Sequence, residues 1–152
     1  AWIVQTGSFS WLPIVWTVPM ALLVSAILHA NNWRDIVSDG ERRVKTIAGH
    51  LGDPGALVYY GFLLFAPFAI DILLITVPRV TGSAFRPMPR TFFLVLLALP
   101  SAIRLWGRAI RRTAPRRPVD FIILDGATAN HSLVFGLLST AAAILEGLLR
   151  WG

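Results

Sequence analysis

The chain has 152 residues, 55% of them hydrophobic and only 14% charged, with a net charge of +6 and a mean hydropathy of +0.65. Soluble domains average about 25% charged residues, so polar surface is too scarce here to coat a water-facing globule, and the class is an integral membrane protein. Cysteine is absent, which excludes disulfides and thiolate metal centres. The basic residues are confined to short loops between apolar runs, which leaves no soluble basic face for nucleic acid.

The chain opens inside apolar sequence, "AWIVQTGSFSW", with no Met and no basic leader. This is expected to be the tail of a membrane helix whose start lies upstream. Trp11 to Ala30 carries no charge over twenty residues, enough to cross a hydrocarbon core ~30 Å thick at about 1.5 Å per residue. Pro13 sits where proline is tolerated, and Pro19 is expected to kink the span. A second span is predicted from Ala56 to Pro78, interrupted only by Asp71. The third runs from Thr91 to Ile110, its last turns extended by Arg104 and Arg108 reaching toward headgroups. The fourth runs from His131 to Leu149, with Glu146 near its end. The fold class is therefore all-α, a polytopic bundle of four full spans plus the end of a preceding one.

Loop charge sets the orientation. Arg34, Arg42, Arg43 and Lys45 follow the first span; Arg104, Arg108, Arg111, Arg112, Arg116 and Arg117 cluster at the end of the third. Those ten share one side of the membrane, against Arg79, Arg86, Arg90 and Arg150 on the other. The bias predicts a multi-pass protein of the cytoplasmic membrane with the first loop at the cytoplasmic face.

That loop, "HANNWRDIVSDGERRVKTIAGHLG" from His29 to Gly52, holds the chemistry. If the first span stays helical through its polar end, 100° per residue places Asn32, Asp35 and Asp39 within about 60° of one face. Asp35 and Asp39 form an i, i+4 pair whose like charges repel unless a cation lies near them. Magnesium suits such a pair, because it takes oxygen ligands, keeps waters and bridges to phosphates. Asn32 is a further oxygen donor one turn earlier, and Arg34, Arg42, Arg43 and Lys45 supply countercharge for a diphosphate. The bland alternative is a solvated loop of surface ion pairs.

The segment "NNWRDIVSD", followed by Thr46 and by Leu51-Gly52, resembles the second aspartate motif of the intramembrane UbiA-type aromatic prenyltransferases. It is most similar to the branch that prenylates 1,4-dihydroxy-2-naphthoate in menaquinone biosynthesis. Asn31, Asn32, Arg34, Asp35, Asp39, Thr46, Leu51 and Gly52 fall on that pattern in register. "VQTGSFSWLP" and "HSLVFGLLSTAAAIL" look like the same branch. Arg43-Val44-Lys45 replaces the usual Gly-Lys before the threonine, and His50 stands where arginine is common.

The resemblance implies a nine-helix fold around a lipid-accessible cavity, of which residues 1–152 form a single transmembrane domain, the C-terminal half. It implies a magnesium-dependent transfer of a polyprenyl group from its diphosphate to an aromatic acceptor. Asp35 and Asp39 would be catalytic and would hold the metal with Asn32; Asn31, Asn32, Arg34, Arg42, Lys45 and His29 would bind substrate. The implied partners are polyprenyl diphosphate, the aromatic acceptor, membrane lipid and an N-terminal half carrying the first aspartate motif, so the fragment alone is expected to be inactive. Alternatives are a related transferase with a hydroxybenzoate, haem or glycerolipid acceptor, or a non-catalytic membrane subunit that binds quinone or lipid.

Other polar residues are given quieter roles. "DGATAN", Asp125 to Asn130, is similar to the start of the CDP-alcohol phosphotransferase motif, but no carboxylate pair follows it; an amphipathic entry into the fourth span is expected instead. Asp71 and Glu146 are expected to be structural or interfacial. His29 is as compatible with a hydrogen-bonded core position as with substrate contact. Trp33 reads as an interface anchor, and "GRAIRRTAPRR" as a topology and anionic-lipid element.

Overall fold

A computed structural model describes residues 2–82, 85–111 and 118–151. The described residues are helical or in short connections. A short helix α1 (Trp2–Thr6) precedes α2 (Leu12–Arg34), α3 (Ile36–Glu41) and α4 (Ile47–Thr81). A 3-10 segment (Arg90–Ala98) then runs directly into α5 (Leu99–Arg111), and α6 (Pro118–Trp151) closes the chain. Four stretches are long and apolar enough to cross a membrane: Leu12–Arg34, Ile47–Thr81, Arg90–Arg111 and Leu124–Arg150. The second, third and fourth predicted spans fall inside them, the first begins one residue before its helix, and the polytopic all-α architecture stands.

Lipid offers no hydrophobic drive for one helix to seek another, so association depends on close van der Waals packing, which small residues allow. Ala26 and Ala30 of α2, Ala48 and Ala56 of α4, and Ala98, Ala102 and Ala109 of the third span are all buried. Larger residues, among them Leu23, Tyr60, Leu64 and Phe135, fill the spaces between them. α4 and α6 both pack on α2, and α6 also packs on the 3-10 segment. Gly61 permits the closest approach: a Cβ there would lie 2.6 Å from the Trp106 ring. Leu28, Val58, Leu97 and Leu137 point outward, as a lipid-facing surface requires.

The backbone breaks at Asp35 and at Gly52, on either side of the polar connection. Asp35 ends α2 and starts α3 with φ −93° and ψ 9°, the sparsely populated region that turns favour. The first span therefore does not continue unbroken to Asp39. Thr46 caps α4 by accepting a hydrogen bond from the Gly49 N–H at 3.0 Å, an arrangement worth about 1 kcal/mol. Gly52 then interrupts α4 with φ 64°, a left-handed value that glycine adopts without the Cβ penalty. Asp53 and Pro54 open the spanning part of the helix, where proline's missing N–H costs nothing. Thr46 and Gly52 thus shape the return of the chain into the bundle.

Candidate functional site

The polar end of α2 is organised by Arg34. Its Nε donates to Asp35 Oδ1 and its Nη2 to Asp35 Oδ2, both at 2.8 Å, while Nη1 donates to Asp125 Oδ2. One guanidinium therefore links the α2–α3 joint to the first apolar turn of the last span, 91 residues away in sequence. Asp125 is mostly buried, and its Oδ1 has no hydrogen-bond partner among the described residues. The fork from Arg34 holds the Asp35 carboxyl below its ordinary value, against the opposing effect of partial burial. Asp125, expected only to lead the chain into the fourth span, is thus a member of the site. The carboxylate was visible in the sequence; its proximity to Arg34 was not, since only helix packing brings α6 against α2.

Asp39 lies one helical turn beyond Asp35, its N–H bonded to the Asp35 carbonyl at 2.8 Å. It is half-buried and lines a groove of about 740 Å³ with Gly40, Arg43, Lys45, Thr46 and His50. Arg43 adopts φ 58°, in the left-handed region that non-glycine residues rarely occupy. Its N–H bonds to the Gly40 carbonyl at 3.1 Å, and the Val44 N–H bonds to the Asp39 carbonyl at 2.8 Å. This tight reversal brings Arg43 and Lys45 to the same groove as Asp39. Asp39 itself has no ion-pair partner among the described residues. Arg42 is exposed, and its charge helps to lower Asp35.

Asn31 and Asn32 are half-buried in the last turn of α2, and the Asn31 carbonyl accepts the Asp35 N–H at 3.1 Å. His29 is deeper. Its Nε2 lies 2.9 Å from the Ala56 carbonyl oxygen, and its ring packs edge-on against Tyr59 with centroids 4.8 Å apart. The structure therefore does not bring His29 together with Asp35 or with the groove that Asp39 lines; it joins α2 to α4. Trp33 departs from its expected place as an interface anchor. It is fully buried, and its Nε1 donates to Asp53 Oδ1 at 2.8 Å, because α4 returns alongside α2 and covers the ring.

Magnesium takes oxygen ligands, with one or two protein carboxylates the usual number beside waters and phosphates. Asp39 and Asp35, a helical turn apart, offer that number. The Arg34 fork engages two of the roughly four lone-pair positions of an ionised carboxylate. Among the described residues no three His, Asp or Glu side chains cluster as for a metal held by protein alone. The donor set fits an ion shared with a diphosphate, not a closed protein cage.

A membrane-embedded helical bundle with a paired-aspartate, arginine-bridged polar end is the class that this geometry defines. Residues 1–124 match the UbiA prenyltransferase family, and the chain belongs to that family. It is 42% identical over 142 residues to UbiA prenyltransferase domain-containing protein 1 of Danio rerio, covering 93% of this chain and 37% of that protein. The Mus musculus protein of that name is 34% identical over 145 residues, 95% of this chain and 38% of its own length. The Drosophila melanogaster homolog is 30% identical over 142 residues, 93% and 35% of the respective chains. The chain thus spans less than two fifths of these relatives. No solved structure matches it.

Proposed function

We propose that the full-length protein containing this chain transfers a polyprenyl group from its diphosphate to an aromatic acceptor, 1,4-dihydroxy-2-naphthoate, in menaquinone biosynthesis. We take residues 1–152 to be its C-terminal half. The observation that carries the reading is the α2–α3 joint, where Asp35 is clamped by Arg34 and Asp39 opens onto a groove shared with Arg43 and Lys45. A groove where the Asp39 carboxylate meets the Arg43 and Lys45 cations, one helical turn from Asp35, suits a metal–diphosphate, whose charge needs both signs of partner.

In this reading Asp35 and Asp39, with Asn32, would hold magnesium, which when bound offsets the negative charge of the diphosphate. Arg34 orients Asp35 and joins it to Asp125, fixing the carboxylate before substrate arrives. Lys45 and Arg43 contact the diphosphate oxygens, with Arg42 at the exposed rim, and Asn31 and Asn32 would contact substrate from the turn before Asp35. The allylic C–O bond breaks with its electron pair leaving on the diphosphate. The ring carbon then forms the new C–C bond, and in the naphthoate that carbon loses its carboxylate as carbon dioxide. Apolar helix walls keep water from the allylic cation. His29 supports the site from behind through Ala56 and Tyr59.

The test is prenyl transfer by the full-length protein in membranes, with naphthoate, hydroxybenzoate, haem and glycerolipid acceptors offered in parallel. Product is expected from the naphthoate alone. Transfer only to another acceptor would replace the acceptor and keep the family chemistry. Absence of transfer to any of them, with the protein folded, would leave a non-catalytic lipid-binding role.

A further inference from the structure

The end of the bundle opposite the aspartates contains a second cavity, of about 550 Å³, walled by α2, α4, the 3-10 segment and α6. Two helices place it independently. Trp16 stands 17 residues before Trp33 on α2, roughly 26 Å along the axis; Asp71 stands 18 residues after Asp53 on α4, roughly 27 Å along it. Because Trp33 and Asp53 are hydrogen-bonded to each other, both measurements start from one level. Trp16 and Asp71 therefore lie at one level and line the same cavity, well out of reach of Asp35 and of the groove that Asp39 lines.

The polar groups lining this cavity fall into two sets. Thr17, Ser139 and Thr140 each donate to a carbonyl of their own helix, at 2.8, 2.9 and 2.9 Å, so their hydrogens are already spent. Asp71 is 2% exposed. Its Oδ1 and the Trp16 Nε1 are both buried and have no hydrogen-bond partner among the described residues. An unmet polar group in an apolar medium is costly, because it has given up water without a replacement, and an intramembrane carboxyl marks a functional site by default. The remaining wall is apolar, including Met20, Phe92 and Phe135, and the volume is in the range of small-molecule sites.

We infer that this cavity binds a neutral lipid carrying a single hydroxyl group. A hydroxyl is the group that serves both unspent atoms: its O–H donates to Asp71 Oδ1, and its oxygen accepts from the Trp16 N–H. An ammonium offers the indole no acceptor, and a carboxylate or phosphate monoester dianion offers Asp71 no donor. The apolar body of the lipid lies against Met20, Phe92 and Phe135. Straight-chain alcohols, prenyl alcohols and sterols share this chemistry.

The experiment uses the full-length protein in phosphatidylcholine vesicles with a photoactivatable, alkyne-tagged hexadecanol. Labelling is expected on peptides containing Met20 or Phe135, and excess unlabelled hexadecanol should compete while palmitate and hexadecylamine should not. Competition by cholesterol assigns the site to sterols; competition by geranylgeraniol without cholesterol assigns it to chain alcohols. Asp71→Leu and Trp16→Phe should each reduce labelling roughly tenfold, as loss of a buried hydrogen bond does. Ser139→Leu fills the cavity from α6 without touching either polar group and should reduce it as well, so the result does not hang on Asp71→Leu folding. Labelling that ignores all three substitutions overturns the proposal. So does competition by the amine equal to that by the alcohol, or a crosslink from a cysteine at position 71 to another segment of the full-length chain.

Discussion

Asp35 and Asp71 lie on neighbouring stretches of one bundle, at its two ends, and are held in opposite ways. Asp35 is half-exposed at a helix joint, and both its oxygens accept hydrogen bonds from Arg34 at 2.8 Å. Asp71 is buried in the bundle, with an oxygen that nothing among the described residues serves. Clustered charge at a membrane face can be organised by its own neighbours and remain open to a charged substrate. The carboxyl of Asp71, inside the bundle, has no such neighbour at its Oδ1 among the described residues. The first arrangement suits a metal–diphosphate, the second a small neutral head group.

The comparison breaks first on topology, where the outcome is all or none. With no native cysteine, single cysteines at positions 45, 108 and 86 can be labelled from either side of the membrane. Lys45→Cys and Arg108→Cys should react from the cytoplasmic side and Arg86→Cys only from the other. Labelling of all three from one face would remove the two-ended arrangement altogether.

Next in size is the aspartate pair. In the full-length protein, Asp35→Asn and Asp39→Asn each remove a charge with little change of volume. Removal of one group that stabilises developing charge costs roughly 100- to 1000-fold in rate, and each variant should lose at least that much prenyl transfer at saturating magnesium. Glu146→Gln is the control: Glu146 pairs with Arg150 at 2.7 Å at the far end, and its variant should stay within about tenfold, a barrier change of ~1.4 kcal/mol. If Asp35→Asn retains full rate at matched protein level, the polar end is merely a solvated loop.

The arginine bridge sharpens the contrast by a smaller amount. Arg34→Gln strands Asp125 beside Asp35 and should lower stability in detergent by about 1–3 kcal/mol, less than a wholly buried pair would, because Arg34 is partly exposed. Asp125→Asn in the same chain should recover part of that loss, and the double-mutant coupling should fall in the range of roughly 0.5–3 kcal/mol. Additive losses would show that the two side chains do not interact.

The same bridge gives a pH dependence of known sign. Asp35 titrates below its ordinary value because Arg34 holds the ionised form. Its contribution is therefore complete above the ordinary aspartate range and is lost as pH falls through the lowered folded value. Melting curves of the Arg34→Gln protein should lack that acid-side loss, while those of the parent retain it.

Smallest is Trp33→Phe. It keeps most of the buried ring and removes the hydrogen bond to Asp53, so about 1 kcal/mol of stability should go, with topology unchanged. A loss several times larger would mean that the indole also sets the register of α2 against α4.

Much of the polar end was legible from the chain. Apolar runs of about twenty residues fix where helices can cross, because length and hydropathy are local properties. The spacing of Asn32, Asp35 and Asp39 was readable in the same way, although the turn at Asp35 was not: nothing about an aspartate in a helical run announces a joint. Thr46 and Gly52 were matched as letters, and their work as a cap and a left-handed kink emerged only with the backbone.

By itself, then, the sequence determined the membrane class, the four spans, the family resemblance and the aspartate segment, each carried by composition or by continuous stretches of about twenty residues. Tertiary structure decided the long-range pairings: Asp125 with Arg34, Trp33 with Asp53, His29 with Ala56, and Trp16 with Asp71 around one cavity. These partners lie 91, 20, 27 and 55 positions apart. No periodicity reaches across such separations, because the rotation and depth at which one helix meets another are set by alanine and glycine contacts along the whole interface.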